Sequence, residues 1–249
     1  MTSAAERYQK QVIFAGLGAE GQARLMASSA LVCGAGGLGG GISQLLVRAG
    51  VGRVRVVDRD RVELSNLHRQ LLYDEDDLGR PKAEAAAARL AAMNRTVAVE
   101  GIVAEVSAAT IEDLCAGVDL VLDGSDNLAT RYVINDAAVR RGLPWVMAGC
   151  VAAHGNLMLI QPGVTPCLRC LFPVPPPEEG YPTSDSVGIL GPAAATVAAL
   201  AALEAIKWLS GARAAVNRGM LALDPWQGRF NLVRMGEGPA AGCICAPEA

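Results

Sequence analysis

"ALVCGAGGLG", Ala30 to Gly39, sets a short apolar run against a glycine cluster. Ala30 to Cys33 reads as a buried strand, and Gly34, Gly36 and Gly39 satisfy a G-x-G-x-x-G spacing directly after it. Ile42, Leu45, Leu46 and Val47 then carry a helical pattern to Gly50. Strand, tight turn and helix in this order leave backbone N–H groups free at a helix N-terminus, where the helix dipole favours phosphate.

Working outward, the next strand, Val54 to Val57, ends at Asp58, nineteen residues after Gly39. A carboxylate there can accept hydrogen bonds from ribose hydroxyls. An alanine-rich helix opens near Pro81 and ends around Asn94, with proline in its favoured first-turn position. Val97 to Val103 and Leu120 to Leu122 read as strands, with helices at about Ala108 to Cys115 and Asn127 to Arg141. Such alternation with short connections predicts a Rossmann-like, doubly wound α/β fold with a mostly parallel sheet.

The pattern changes after Trp145 to Ala148. Asn156 to Ile160 and Leu221 to Leu223 read as strands separated by the proline-rich "FPVPPPEEGYPTSDS" and by a helix from about Pro192 to Ser210. The proline-rich stretch is expected to be poorly ordered. There is no internal repeat and no independent linker. One domain over residues 1–249 is expected, with a nucleotide-binding half at 1–150 and a C-terminal extension of antiparallel strands at 151–249.

A formal net charge of -3 gives no reason to expect nucleic-acid binding. The run Pro192 to Leu203 meets Glu204 and Lys207 at once, too soon for a membrane span, and MTSAAERYQKQ lacks the apolar stretch of a signal peptide. A cytoplasmic protein is expected. Its seven cysteines are then more naturally free, catalytic or metal-bound than disulfide-bonded.

"VDRDRVELSNLHRQ", Val57 to Gln70, carries more charge than a nicotinamide-binding fold needs after its second strand. An enzyme that splits ATP between the α- and β-phosphates must stabilise a leaving pyrophosphate with fixed cations and a magnesium ligand. Arg69 and Lys82 can supply the cations and Asn66 a further phosphate contact. Asp126, in "LVLDGSDN" beside the expected topological switch, can supply the metal carboxylate, with Asp123 as the alternative. Arg59 and Arg61 read as solvated surface charges.

Taken together, G-x-G-G-x-G, D-x-D-x-V-x-x-S-N-L-x-R-Q, G-x-P-K-A-E, D-x-x-D-N-x-x-x-R and C-x-x-C resemble the MoeB/ThiF family of ubiquitin-activating-enzyme-like adenylyltransferases. The resemblance runs from "RYQKQVIF" at Arg7 to the C-terminal cysteines. It implies Mg-ATP-dependent adenylation of the C-terminal Gly-Gly carboxylate of a small ubiquitin-like sulfur-carrier protein, with release of pyrophosphate. It also implies Asp58 at the ribose, Asn66, Arg69 and Lys82 at the phosphates and Asp126 at magnesium, with Gly34, Gly36, Gly37, Gly39, Asp60, Gln70 and Asn127 completing the nucleotide site. Arg7 matches an arginine that the family passes across a homodimer interface into the partner's ATP site. The half at 151–249 would then bind the carrier.

Cys167 and Cys170 form a C-x-x-C knuckle, and Cys243 and Cys245 form a C-x-C pair near the C-terminus. Four thiolates suit a closed structural zinc site tying the late extension together. The family normally has a second C-x-x-C, so the C-x-C is a departure. Ser184 is another, standing where many relatives carry a crossover-loop cysteine; a hydroxyl cannot replace a thiolate in persulfide or thioester exchange, which favours adenylation alone. Cys33, Cys115 and Cys150 read as core residues, Cys150 on the nucleotide side, and neither His68 nor His154, in an expected turn, receives a catalytic role.

Three functions compete at this point. Adenylation of a sulfur carrier leads. An NAD-dependent oxidoreductase draws support from the glycine cluster and Asp58 alone, and a non-catalytic carrier-binding module is the third. Arg7, Arg69, Lys82 and Asp126 count against the latter two.

Overall fold

The computed structural model describes residues 4–177, 182–236 and 238–246. Strands β1 (Ser29–Cys33), β2 (Arg53–Val57), β3 (Ala98–Ile102), β4 (Leu120–Asp123) and β5 (Trp145–Val151) run parallel in the spatial order β3-β2-β1-β4-β5. Strands β6 (His154–Ile160), β7 (Met220–Asp224) and β8 (Arg229–Val233) extend the same sheet antiparallel. The expected Rossmann-like sheet with an antiparallel extension is what forms.

Every residue of β1 is buried, as a parallel strand covered on both faces requires. Its side chains alternate between two cores because strand periodicity is two. Ala30 and Val32 pack with Leu38, Ile42 and Leu46 of α3 (Gly37–Ala49) and Val197 and Ala201 of α9 (Gly191–Leu209). Leu31 and Cys33 pack on the other face with Ile111 and with Ile134 of α6 (Leu128–Arg141). Burying one such leucine or isoleucine contributes about 1.5–3 kcal/mol. Helix α3 stops at Gly50, whose φ of 88° closes it in the left-handed conformation.

Several elements differ from the sequence expectation. Helices α1 (Ala4–Ile13) and α2 (Gly18–Ala27) precede β1, and β8 closes the far edge; none was expected. The helix expected over Ala108 to Cys115 shrinks to α5 (Ile111–Leu114), while α4 (Lys82–Met93) starts after Pro81 as expected. His154 opens β6 rather than lying in a turn. Helix α9 forms where expected, although at 19 residues it is long and apolar enough to cross a bilayer by length and composition alone. It packs along α3, β5 and β6, burying Ala194, Val197, Ala198 and Ala201 against the sheet. Of the proline-rich stretch, residues 178–181 lie outside the described residues; its last residues are ordered, Thr183 capping the short helix α8 (Ser184–Val187) by accepting from Ser186 N at 3.2 Å.

Candidate active site

The chain leaves β1 for β2 and β3 on one side, then returns to β4 on the other, so the crevice at the C-terminal ends of β1 and β4 is the topological switch. A cavity of about 1230 Å³ opens there. Its walls hold Gly34, Gly36, Gly37, Asp58, Asp60, Asn66, Arg69, Gln70, Lys82, Asp126 and Asn127. Gly39 supports the turn from behind.

The turn is built for close approach. Gly34 has φ of +100°, and a Cβ on it would fall 2.6 Å from the Gly124 carbonyl oxygen. A Cβ on Gly39 would lie 1.8 Å from the Gly34 carbonyl oxygen, so β1, the turn and the β4 loop interlock only through glycine. Gly36 caps α3 with no side-chain hydrogen bond. The first N–H groups of a 13-residue helix therefore face the cavity with the dipole's positive end.

Asp58 ends β2 with each carboxylate oxygen accepting one backbone bond, Oδ2 from Ala35 N at 2.7 Å and Oδ1 from Asp60 N at 2.8 Å. Burial pushes its pKa up and is the largest influence; the two backbone donors and the Lys82 charge oppose it without reversing the shift. Each oxygen retains a further lone pair for a donor such as a ribose hydroxyl. Lys82 is 7% exposed, and its ammonium lies 3.3 Å from Asp60 Oδ2 while its backbone N–H donates to Asp60 O at 2.8 Å.

Asn66 and Gln70 are buried on the wall facing the glycine turn, and their amide oxygens, Oδ1 and Oε1, have no hydrogen-bond partner among the described residues. Buried amide oxygens without partners are uncommon, and two on one cavity wall suit a polar ligand. Arg69 is half-buried, and its Nη1 donates to Ser65 O at 3.0 Å. Arg59 and Arg61 also line the cavity rim, Arg59 paired with Glu105 at 2.6 Å and Arg61 donating to Gly79 O at 2.7 Å. They are exposed, as expected of surface charges, yet they add positive potential at the mouth.

Across the switch, Asp126 is an exposed carboxylate that accepts from Asn127 Nδ2 at 3.4 Å. Asn127 Oδ1 caps α6 by accepting from Thr130 N at 2.8 Å. Asp123, the alternative metal ligand, does not line the cavity. It is fully buried and accepts from Ser125 N at 2.9 Å, Ser125 Oγ at 2.5 Å and Arg131 Nε at 2.6 Å. The sequence reading missed Arg131, although the D-x-x-D-N-x-x-x-R spacing contained it.

Arg7 does not line this chain's cavity. It is exposed on α1, with Nη1 donating to Met93 O at 3.3 Å. Cys150 does line it, and burial pushes its thiol up to about 11. Cys33 also reaches the wall but is fully buried, and burial raises its thiol too. His154 and Ser184 lie at the cavity's far end, His154 Nδ1 being 3.8 Å from Asp224 Oδ2; His68 is not on its walls.

The four knuckle cysteines converge at one point. Sγ separations are 3.6 Å for Cys167 and Cys243, 3.9 Å for Cys167 and Cys170, 3.4 Å for Cys170 and Cys245, and 3.7 Å for Cys243 and Cys245. Thiolates at about 2.3 Å from a tetrahedral zinc lie about 3.8 Å apart, so these residues fit such an ion. Ala240 N donates to Cys170 Sγ at 3.2 Å, a second-sphere bond that suits a thiolate. The C-x-C pair therefore reaches the same point as the C-x-x-C pair, and the cluster is a candidate metal centre.

The chain is 41% identical over 248 residues to a sulfur carrier protein adenylyltransferase of Thermus thermophilus, covering 98% of this chain and 91% of that one. It is 41% identical over 230 residues to the sulfur carrier protein ThiS adenylyltransferase of Bacillus subtilis, covering 92% of this chain and 67% of the relative. Among solved structures, E. coli MccB superposes with a TM-score of 0.84 at 22% identity over 97% of this chain and 74% of that one, a likeness of fold. The ThiF family matches residues 8–245. The chain belongs to the ThiF family.

Proposed function

We propose that the protein is an ATP-dependent adenylyltransferase that activates the C-terminal carboxylate of a ubiquitin-like sulfur-carrier protein. The observation that carries this reading is the convergence of Lys82, Arg69, Asn66 and Asp126 on the cavity that holds the glycine turn and Asp58. A dehydrogenase keeps its pyrophosphate intact and has no use for that convergence. The names of the relatives support the same chemistry.

In this reading the half at 1–150 binds nucleotide and the half at 151–249 binds carrier and zinc. Asp58 accepts hydrogen bonds from the ribose, while the glycine-turn N–H groups and Gln70 border the nucleotide. Asn66, Arg69 and Lys82 hold the phosphates, and Asp60 keeps the Lys82 ammonium aimed into the cavity. Asp126, with Asn127 beside it, holds magnesium, which when bound neutralises phosphate charge. The carrier's carboxylate is ionised at neutral pH and needs no base. Its oxygen attacks the α-phosphorus, the bond to the bridging oxygen breaks, and pyrophosphate leaves with the electron pair, so the chain's task is alignment and charge stabilisation. Cys167, Cys170, Cys243 and Cys245 hold zinc in a closed site with no position for substrate. The working unit is a homodimer in which Arg7 enters the partner's pocket; exposed Ile13 and Phe14 at the end of α1 are consistent with a covered face there.

Carrier-dependent exchange of pyrophosphate into ATP tests the proposal, with nicotinamide dinucleotide binding as the control for the dehydrogenase reading. Lys82→Ala and Asp126→Ala should fold yet lose about 3 kcal/mol of transition-state stabilisation, on the order of a hundredfold in rate. Near-normal exchange in either variant would overturn the assignment of its residue.

A further inference from the structure

Tyr73 belongs to none of the motifs in the sequence, yet it joins two of them. Its ring is buried in the core shared with α3. Its hydroxyl lies 2.9 Å from the carbonyl oxygen of Ala35 and 3.2 Å from that of Lys82, so a single O–H is shared between both acceptors. Ala35 sits inside the glycine turn, and its N–H is already held by Asp58 Oδ2 at 2.7 Å. Its peptide environment is thus fixed from β2 on one side and from Tyr73 on the other.

Lys82 is fixed in the same manner. Its N–H donates to Asp60 O at 2.8 Å, its carbonyl meets Tyr73, and its ammonium faces Asp60 Oδ2 at 3.3 Å. The Tyr73 hydroxyl is therefore a direct link between the glycine turn and the first residue of α4. Burial pushes the phenol's pKa well above its ordinary value, and the charges of Asp58 and Asp77 push it further. The hydroxyl stays protonated, as a donor must.

Resting on the adenylation reading above, we propose that Tyr73 is a positioning residue for the nucleotide phosphates, its hydroxyl setting the separation between the Gly34–Gly39 turn and Lys82. Backbone N–H groups and an ammonium can act on one triphosphate only if their spacing matches it before the nucleotide arrives. Losing the hydroxyl leaves the ring's packing in place and frees the turn and α4 to drift apart. The effect should fall on ATP, not on the carrier.

Tyr73→Phe in the full chain isolates the hydroxyl. Four quantities should be compared with wild type: the KM for ATP and the KM for carrier in pyrophosphate exchange, the displacement of a fluorescent ATP analogue by ATP, and the melting temperature. The KM for ATP and the displacement constant should both rise about tenfold, corresponding to about 1.4 kcal/mol. The carrier KM should stay within about twofold, since the hydroxyl is buried against two backbone carbonyls, out of a carrier's reach. Unchanged ATP affinity, a fall in kcat with both KM values unchanged, or a chain that no longer folds would each overturn the proposal. If wild type binds ATP but shows no carrier-dependent exchange, the functional reading fails while the displacement assay still decides the role of Tyr73.

Discussion

Arg131 Nε lies 2.6 Å from Oδ2 of Asp123, a carboxylate with no solvent exposure, and the same guanidinium donates through Nη2 to the carbonyl oxygen of Ala148 at 3.0 Å. One side chain from α6 thereby fixes the end of β4 to β5, across the loop that carries Asp126. Removing one partner of a buried ion pair leaves a charge without compensation. Arg131→Ala should destabilise the fold by about 3–5 kcal/mol, read as a lower urea midpoint at unchanged m-value. A shift below about 1 kcal/mol would mean that solvent or another cation reaches Asp123.

Arg7 has no place in its own chain's cavity, which gives the proposed dimer a direct test. Arg7→Ala and Lys82→Ala chains should each be poorly active alone. Random reassortment makes half the dimers mixed, each with one intact pocket, so activity should recover to roughly a quarter of wild type. No recovery despite demonstrated subunit exchange would place the role of Arg7 elsewhere.

The four cysteines should retain about one zinc per chain after purification. Cys245→Ser should lower the melting temperature while turnover per folded chain stays near wild type, because a closed site offers no coordination position to substrate. Metal analysis finding no zinc, with all four thiols titrating freely under native conditions, would remove the site.

Arg169 lies within the knuckle, between Cys167 and Cys170, and grips Asp136 of α6 with Nε and Nη2, each at 2.7 Å. Burial pushes the Asp136 carboxyl up, but hydrogen bonds from Arg169 and Asn135 outweigh it and hold the pKa below the ordinary 3.8. A depressed carboxyl contributes stability that is fully present above its unfolded value and is lost as pH falls through the folded value. Asp136→Asn should therefore lower the melting temperature at pH 7, and the gap to wild type should close only below about pH 4. A gap that persists unchanged to pH 2 would show that shape, not charge, makes this contact.

The sequence by itself determined the parallel half of the fold and the residue types of the cavity. Ala30 to Gly39 specifies strand, turn and helix locally, since only glycine accepts the φ of Gly34 and the close approach at Gly39, and Asp58 and Lys82 follow at fixed offsets from their own strand and helix. The four cysteines were legible for a similar reason, their type and pairing naming the chemistry before their positions were known. The sequence already ranked Asp126 above Asp123, but only tertiary structure separates their surroundings: the two lie three residues apart with the same side chain, and the packing of α6 and β5 buries the first against Arg131 and leaves the second lining the cavity. It also decided how α9 packs, its small residues Ala194, Ala198 and Ala201 lying close against the sheet while Leu203 stays exposed. Tyr73 was silent in the sequence because its role consists of two contacts, one 38 residues and one 9 residues away, that no local pattern encodes.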